Sequence, residues 1–372
     1  MKGWQKLPFD EAVADESGGN LKTPQSEFLE VGEFAVVDQG KELVSGYVND
    51  RIRLCHSRLP VVVFGDHTRC IKFVDFPFCM GADGIKVLRP KLEADVKYLY
   101  HFLRQLRLHD GGYDRHFKYL KRTEVLLPPL AEQRRIAEVL DQAEALRAKR
   151  RAALAQLDSL TQAMFLDLFG DPATNPNSFP KKPLASLVRE DDTINYGVVQ
   201  PGDDLAEGVP LVRVGDLIEG KVRHAELKRI APSIEAAYKR SRLRGDEILV
   251  SCVGSIGVVA LADESVKGFN IARAVARIPL AETTSRLFMA AYLSTDFVQR
   301  YFTNELRTVS QPTLNIKQLS ETTVVLPPIS LQREFARRVT AVEKLKTAQR
   351  ASLADLDALF ASLQHRAFRG EL

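Results

Sequence analysis

A chain of 372 residues with 45% apolar composition is long enough for two or three domains with real cores. The four cysteines, Cys55, Cys70, Cys79 and Cys252, form no C-x-x-C pair and have no histidine at zinc-finger spacing. A disulfide framework and a metal site are therefore both disfavoured, and free thiols in a reducing compartment are expected. No run approaches the roughly 18 apolar residues of a membrane span, and the N-terminus lacks a leader-like apolar stretch, so a cytoplasmic protein with no membrane association is expected. The net charge of +4 is too small to point to nucleic acid by itself.

Residues 1–126 read as a first globular module. It holds a short β-rich run, VVVFGD from Val61, then an amphipathic helix, VKYLYHFLRQLRLH from Val96. Residues 97–122 carry seven Lys or Arg against two Asp, interleaved with aromatics and histidines. Such a stretch suits a phosphate backbone, although a charge run is more often a solvated face. Within GGYDRHFKYLKR, the residues Tyr113, Arg115, His116 and Lys118 are candidates for DNA contact, by stacking and by phosphate pairing.

Residues 127–170 follow as a strand end, Leu-Pro-Pro, and a long helix. The prolines are tolerated at a helix start but not inside it. Mostly apolar residues then recur at heptad spacing, with Ile136, Ala143, Arg150, Leu157 and Met164 in one row and Val139, Leu146, Ala153 and Leu160 in the other. From Ala131 to Phe169 such a helix is about 55 Å long. Residues 171–179, rich in Pro and Asn, read as a linker.

Residues 180–325 form a second module, opened by KPLASLVRED much as KLPFDEAVAD opens the first. Residues 219–244 hold eight basic residues against three acids. VPLVRVGDLIEGKVRH from Val209, SCVGSIG from Ser251 and VSQPTLNIKQL from Val309 are its most suggestive loops. Gly254, Ser255 and Gly257 are candidates to offer backbone N–H groups to phosphates. Gln311 and Asn315 are candidates for adenine edges, and Arg213 for guanine. An ordinary hairpin accounts for each of these taken singly.

Residues 326–372 repeat the earlier helix. At a shift of 199 residues, VVLPPISLQREFARRVTAVEKLKTAQRASLADLDAL falls on VLLPPLAEQRRIAEVLDQAEALRAKRRAALAQLDSL. Phe169 falls on Phe368 at the same shift, and a gap of one residue then pairs FGD at 169 with FRGE at 368. The seam rows become Phe335, Val342, Gln349, Leu356 and Leu363, and Leu345, Ser352 and Leu359. Arg150 and Gln349 occupy equivalent seam positions and are expected to form a polar layer that fixes register in an antiparallel pair. The two modules do not repeat at that shift.

The sequence holds no P-loop, no dinucleotide fingerprint, no Asn/Asp-Pro-Pro-aromatic tetrapeptide and no histidine–carboxylate cluster, so neither a catalytic nor a metal site is expected. The duplicated Leu-Pro-Pro-x-x-x-Gln-Arg helices, each behind a dissimilar module, resemble the specificity subunits of type I restriction-modification systems. That resemblance implies an α+β chain of two target-recognition domains separated by two long antiparallel helices in a coiled coil, with pseudo-twofold symmetry. It implies binding of double-stranded DNA at a bipartite, gapped and asymmetric site, with half-sites roughly one to one and a half helical turns apart. It also implies two methyltransferase subunits using S-adenosylmethionine, and restriction subunits using ATP and Mg²⁺, with no cofactor on this chain. A coiled-coil adaptor that binds only proteins stands as the alternative, and it predicts binding insensitive to salt.

Overall fold

The computed structural model describes residues 3–82, 84–108, 114–305 and 312–372. The chain divides into two compact units, Met1–Ala152 with Arg350–Leu372, and Ala153–Gln349. Each unit holds one module and part of each long helix.

In the first unit, Val61–Gly65 is an inner strand of a four-stranded sheet, between Ile71–Val74 and Ile85–Pro90 and antiparallel to both. Its unbroken apolar run is buried on both faces. Val62 and Phe64 point to the helix Val96–Gln105, while Val61 and Val63 point the other way, into a cluster with Val37, Phe78 and Met80. These last three belong to a second four-stranded sheet, in which Phe34–Val37 lies parallel to Phe78–Gly81. The second unit follows the same plan. Ile248–Ser251 lies antiparallel to Val259–Leu261 and Val275–Ile278, and Val209–Val212 runs parallel to Asn270–Ile271. Gly65 pairs with Ile85 as Ser251 pairs with Val275, so the central hairpins are equivalent strand for strand.

Each module is tied to its long helix in one way. An opening strand, Gln5–Pro8 or Lys181–Pro183, lies antiparallel to the strand leading into Pro-Pro, Glu124–Leu127 or Thr323–Val325. The motif glutamines are buried and structural. Gln133 Oε1 accepts the N–H of Asp95 at 2.9 Å and its Nε2 donates to the Pro128 carbonyl at 2.8 Å. Gln332 does the same with Ser285 and Pro327, at 2.9 and 2.8 Å. Asp95 and Ser285 are the N-caps of the module helices Val96–Gln105 and Arg286–Leu293, so each glutamine locks a cap to a strand end.

The long helices, Leu130–Phe169 and Ile329–Ala367, start directly behind the prolines. Inside each unit they run antiparallel, with Arg147 Nε 2.6 Å from Asp357 in the first and Lys346 Nζ 3.1 Å from Asp158 in the second. These pairs are equivalent under the 199-residue repeat. One seam row is as read from the sequence, but the other is displaced by one residue. The inward row is Leu140, Arg147, Leu154, Thr161 and Leu168, matched by Val339, Lys346, Leu353, Phe360 and Ala367, each buried or half-buried. Leu146, Leu160, Leu345 and Leu359 instead stand 39–54% exposed. The long aliphatic stems of Arg147 and Lys346 fill seam positions that a purely apolar pattern passes over. Arg147 also lies over the Phe360 ring at 4.4 Å. Arg150 and Gln349 are half-buried on their respective helices.

Gly170 ends the first long helix with φ +74°, and a Cβ there would lie 2.3 Å from Pro176. The helix C-termini close the two cores. Phe368 packs on Tyr98 and Phe102 at 5.7 and 5.5 Å, and Phe169 on Phe288 and Phe335 at 5.0 and 5.4 Å.

In the first unit, fully buried His101 sits 2.8 Å from Asp141 on the long helix. Burial holds this imidazole below its usual range despite the carboxylate. The unfolded chain protonates the same ring near pH ~6.5, so the unfolded state binds more protons below that value and stability falls as pH drops through it. We expect His101→Gln to remove about 1 kcal/mol of the stability difference between about pH 7.5 and 5.5, read from urea midpoints. An unchanged difference excludes the ring as its source.

Candidate nucleic-acid interface

In both modules three segments meet at one end of the central hairpin. The first is the hairpin turn, Asp66–Cys70 in one module and Cys252–Val258 in the other. Each turn is closed by matching bonds: Gly65 N to Cys70 O and Ser251 N to Val258 O, then Arg69 N to Gly65 O and Gly257 N to Ser251 O, all 2.8–2.9 Å. The second is the connection that ends at Gly84 in one module and the turn at residues 272–274 in the other, bonded to the first through Asp66 N to Gly84 O and Cys252 N to Ala274 O. The third is the last loop before the Pro-Pro strand. It docks through His116 N to Asp66 O at 2.7 Å in one module and Leu314 N to Cys252 O at 2.9 Å in the other. Val253 and Thr313 add a bridge between hairpin turn and last loop. The last loops of the two modules thus dock on their hairpin turns in the same way.

The candidate residues fall into several environments. Arg115 and Lys118 are exposed beside this platform. Lys118 pairs with Asp114 at 2.7 Å. That ammonium, with the Tyr119 hydroxyl and the Arg115 amide, holds the Asp114 carboxyl well below the usual carboxylate range. His116 is only 1% exposed, because its main chain is what docks the loop, so it is not a surface contact. Tyr113 and Gln311 lie outside the described residues.

Gly254 and Ser255 are exposed at the tip of the second module's hairpin, with Gly254 at φ +78° and open space where a Cβ would stand. Gly257 is corrected: its N–H is spent on Ser251 O and its carbonyl accepts Gln299 Nε2 at 3.0 Å. Asn315 is the exposed N-cap residue of the helix Ile316–Glu321, and its backbone N–H donates to Gln318 Oε1 at 2.8 Å. Arg213 is also committed. Its Nε lies 3.1 Å from buried Asp216, and Nη2 reaches the Glu226 carbonyl at 3.2 Å. The Asp216 carboxylate raises the Arg213 pKa further.

The family described as "Type I restriction modification DNA specificity domain" matches residues 19–156 and 181–354, one stretch for each module and most of its following helix. The chain belongs to this family. Among curated relatives, the Type I restriction enzyme EcoBI specificity subunit of Escherichia coli is 34% identical over 283 residues, covering 68% of this chain and 59% of the relative. The EcoKI specificity subunit of Escherichia coli K12 is 24% identical over 268 residues, covering 66% and 57%. Each match therefore spans less than two thirds of the relative's length. The fold is similar to that of the type I S subunit from M. genitalium, with TM-score 0.61 at 16% identity over 98% of this chain and 96% of that one. It is also similar to a chain solved in connection with complex assembly and conformational transition of the type I R-M system, with TM-score 0.59 at 18% identity over 100% and 99%. No helix among the described residues is long and apolar enough to cross a membrane.

Sequence reasoning about this specificity-family chain missed the turn at residues 66–70. His67 N donates to Gln39 Oε1 at 3.1 Å and Thr68 Oγ1 to Gln39 O at 2.5 Å, so the turn is braced from the neighbouring sheet. The only local signal was Asp-His-Thr-Arg between two apolar runs, a composition that reads as any polar turn. It missed Arg273 too, exposed at the tip of the turn 272–274.

Proposed function

We propose that this chain is the DNA-reading subunit of a type I restriction-modification complex, binding a bipartite, gapped and asymmetric site and carrying no catalytic step itself. The observation that supports this most directly is the repeated platform. Two modules of one fold bring the same three segments together but line them with unlike residues, as two unlike half-sites require. The adenine or cytosine to be modified must leave the base stack, and the pocket for it belongs to a partner.

The partners in this reading are two identical methyltransferase subunits holding S-adenosylmethionine, with restriction subunits using ATP and Mg²⁺ joined through them, acting in the cytoplasm. The long helices offer each methyltransferase an equivalent seat. Leu146 and Leu359 in the first unit, and Leu160 and Leu345 in the second, are exposed leucines related by the sequence repeat. Exposed apolar residues recurring in this way mark protein contacts better than isolated ones do.

The test is base-resolved methylation in cells expressing the cognate methyltransferase, with and without this chain. A gapped, asymmetric motif that appears only with the chain is expected. Methylation indifferent to the chain overturns the reading and favours a protein-binding adaptor.

A further inference from the structure

Resting on the DNA-reading role, we propose that Arg69 in the first module and Arg273 in the second are the arginines that contact DNA from the hairpin end of each module. Arg69 occupies the position that Gly257 holds in the other hairpin. Both residues donate their N–H to the last residue of the preceding strand, and both have left-handed backbones, φ +60° and +82°. Glycine takes that conformation freely, whereas a long side chain takes it at a cost, and such outliers collect at functional sites. The first module thus spends backbone strain to place an exposed guanidinium at a turn that its twin builds with glycine.

Arg273 serves the second module from the neighbouring turn. Its N–H is fixed to Val198 O at 2.8 Å, and the flanking Ala272 and Ala274 are bonded to Val212 and Cys252 at 2.9 and 2.7 Å. The turn is thereby immobilised on three sides while the Arg273 side chain stands exposed, with no ion pair to any described residue. Arg213, Arg242 and Arg277, three arginines of the neighbouring strands and turns, are each paired with a carboxylate. Guanidinium suits both uses open to it here, a bidentate bond to guanine in the major groove or a forked bond to phosphate. The two modules therefore reach DNA with arginines from different turns of one platform, which gives unlike half-sites from like folds.

The experiment uses the full chain assembled with its methyltransferase subunits and compares Arg69→Gly and Arg273→Ala with the parent. Arg69→Gly keeps the left-handed turn, as Gly257 does, and Arg69→Asn serves as a second variant tolerant of that backbone. Base-resolved methylation and DNA affinity are read for each. Arg69→Gly is expected to relax or weaken one half-site by roughly 10- to 100-fold and leave the other unchanged, and Arg273→Ala to do the reverse. Wild-type motifs and affinities in both variants, or equal weakening of both half-sites by either one, overturn the assignment. If the parent complex itself directs no gapped motif, it is the DNA-reading role that fails.

Discussion

Replacing Arg277 with methionine is expected to destabilise the second unit by about 3–5 kcal/mol, the range for breaking a buried ion pair by removing one partner. The Arg277 side chain is 3% exposed and bridges two carboxylates on different segments, Asp192 and Glu247, the latter wholly buried. Glu247 also accepts N–H groups from Arg244, Gly245 and Asp246 at 2.8–3.2 Å, so its charge is solvated by the main chain but neutralised by Arg277. Removing the cation leaves a buried negative charge with dipoles alone around it. Urea unfolding of the full chain measures the loss. Adding Glu247→Gln to Arg277→Met is expected to recover part of it, because the uncompensated charge has gone. A single variant within about 1 kcal/mol of wild type would sink the idea that this network holds the sheet to the loop at residues 190–193.

The order of elements was legible because it rests on repetition and on proline. The 199-residue repeat located both long helices, and the Pro-Pro pairs placed their starts within a few residues. The seam was only half legible. Rows three and four residues from Ile136 both look acceptable, and leucines at 146, 160, 345 and 359 drew the choice to the wrong one. Basic residues at Arg147 and Lys346 concealed the true row, and the aspartates that pair with them lie far along the chain. The platform was less legible still. The hairpin turns differ in length, five residues against seven, so the shift that aligns the strands before them does not align Arg69 with Gly257. At Asn315 the N-x-x-Q spacing of a helix start stood in the sequence and was passed over. His116 was misread because a residue flanked by exposed charge can still turn inward when its own amide docks the loop.

The second large effect is expected at Gly197, and it connects stability to reading. The residue is buried where the segment after Asn195–Tyr196 crosses the end of Asn270–Ile271. A Cβ at Gly197 would lie 1.6 Å from the Ile271 carbonyl oxygen and 2.3 Å from its carbon. Those are main-chain atoms held in a parallel ladder with Val212, so no rotamer change relieves the contact. In Gly197→Ala the two segments must part, which breaks Val198 N to Ile271 O at 2.7 Å and Arg273 N to Val198 O at 2.8 Å. Two buried main-chain bonds and the displacement together put the expected cost at about 3–5 kcal/mol. Because the lost bonds fix the turn that carries Arg273, recognition by the second module should fail at temperatures where the chain is still folded. The first module shares none of these bonds, so its half-site preference should persist. Hydrogen exchange at the amides of Val198 and Arg273 tests the structural half of the argument, and the methylated motif tests the other. Protected amides with stability within about 1 kcal/mol of wild type would mean that the ladder accommodates a methyl group. Faster exchange with an intact second half-site would mean that Arg273 does not depend on this anchor.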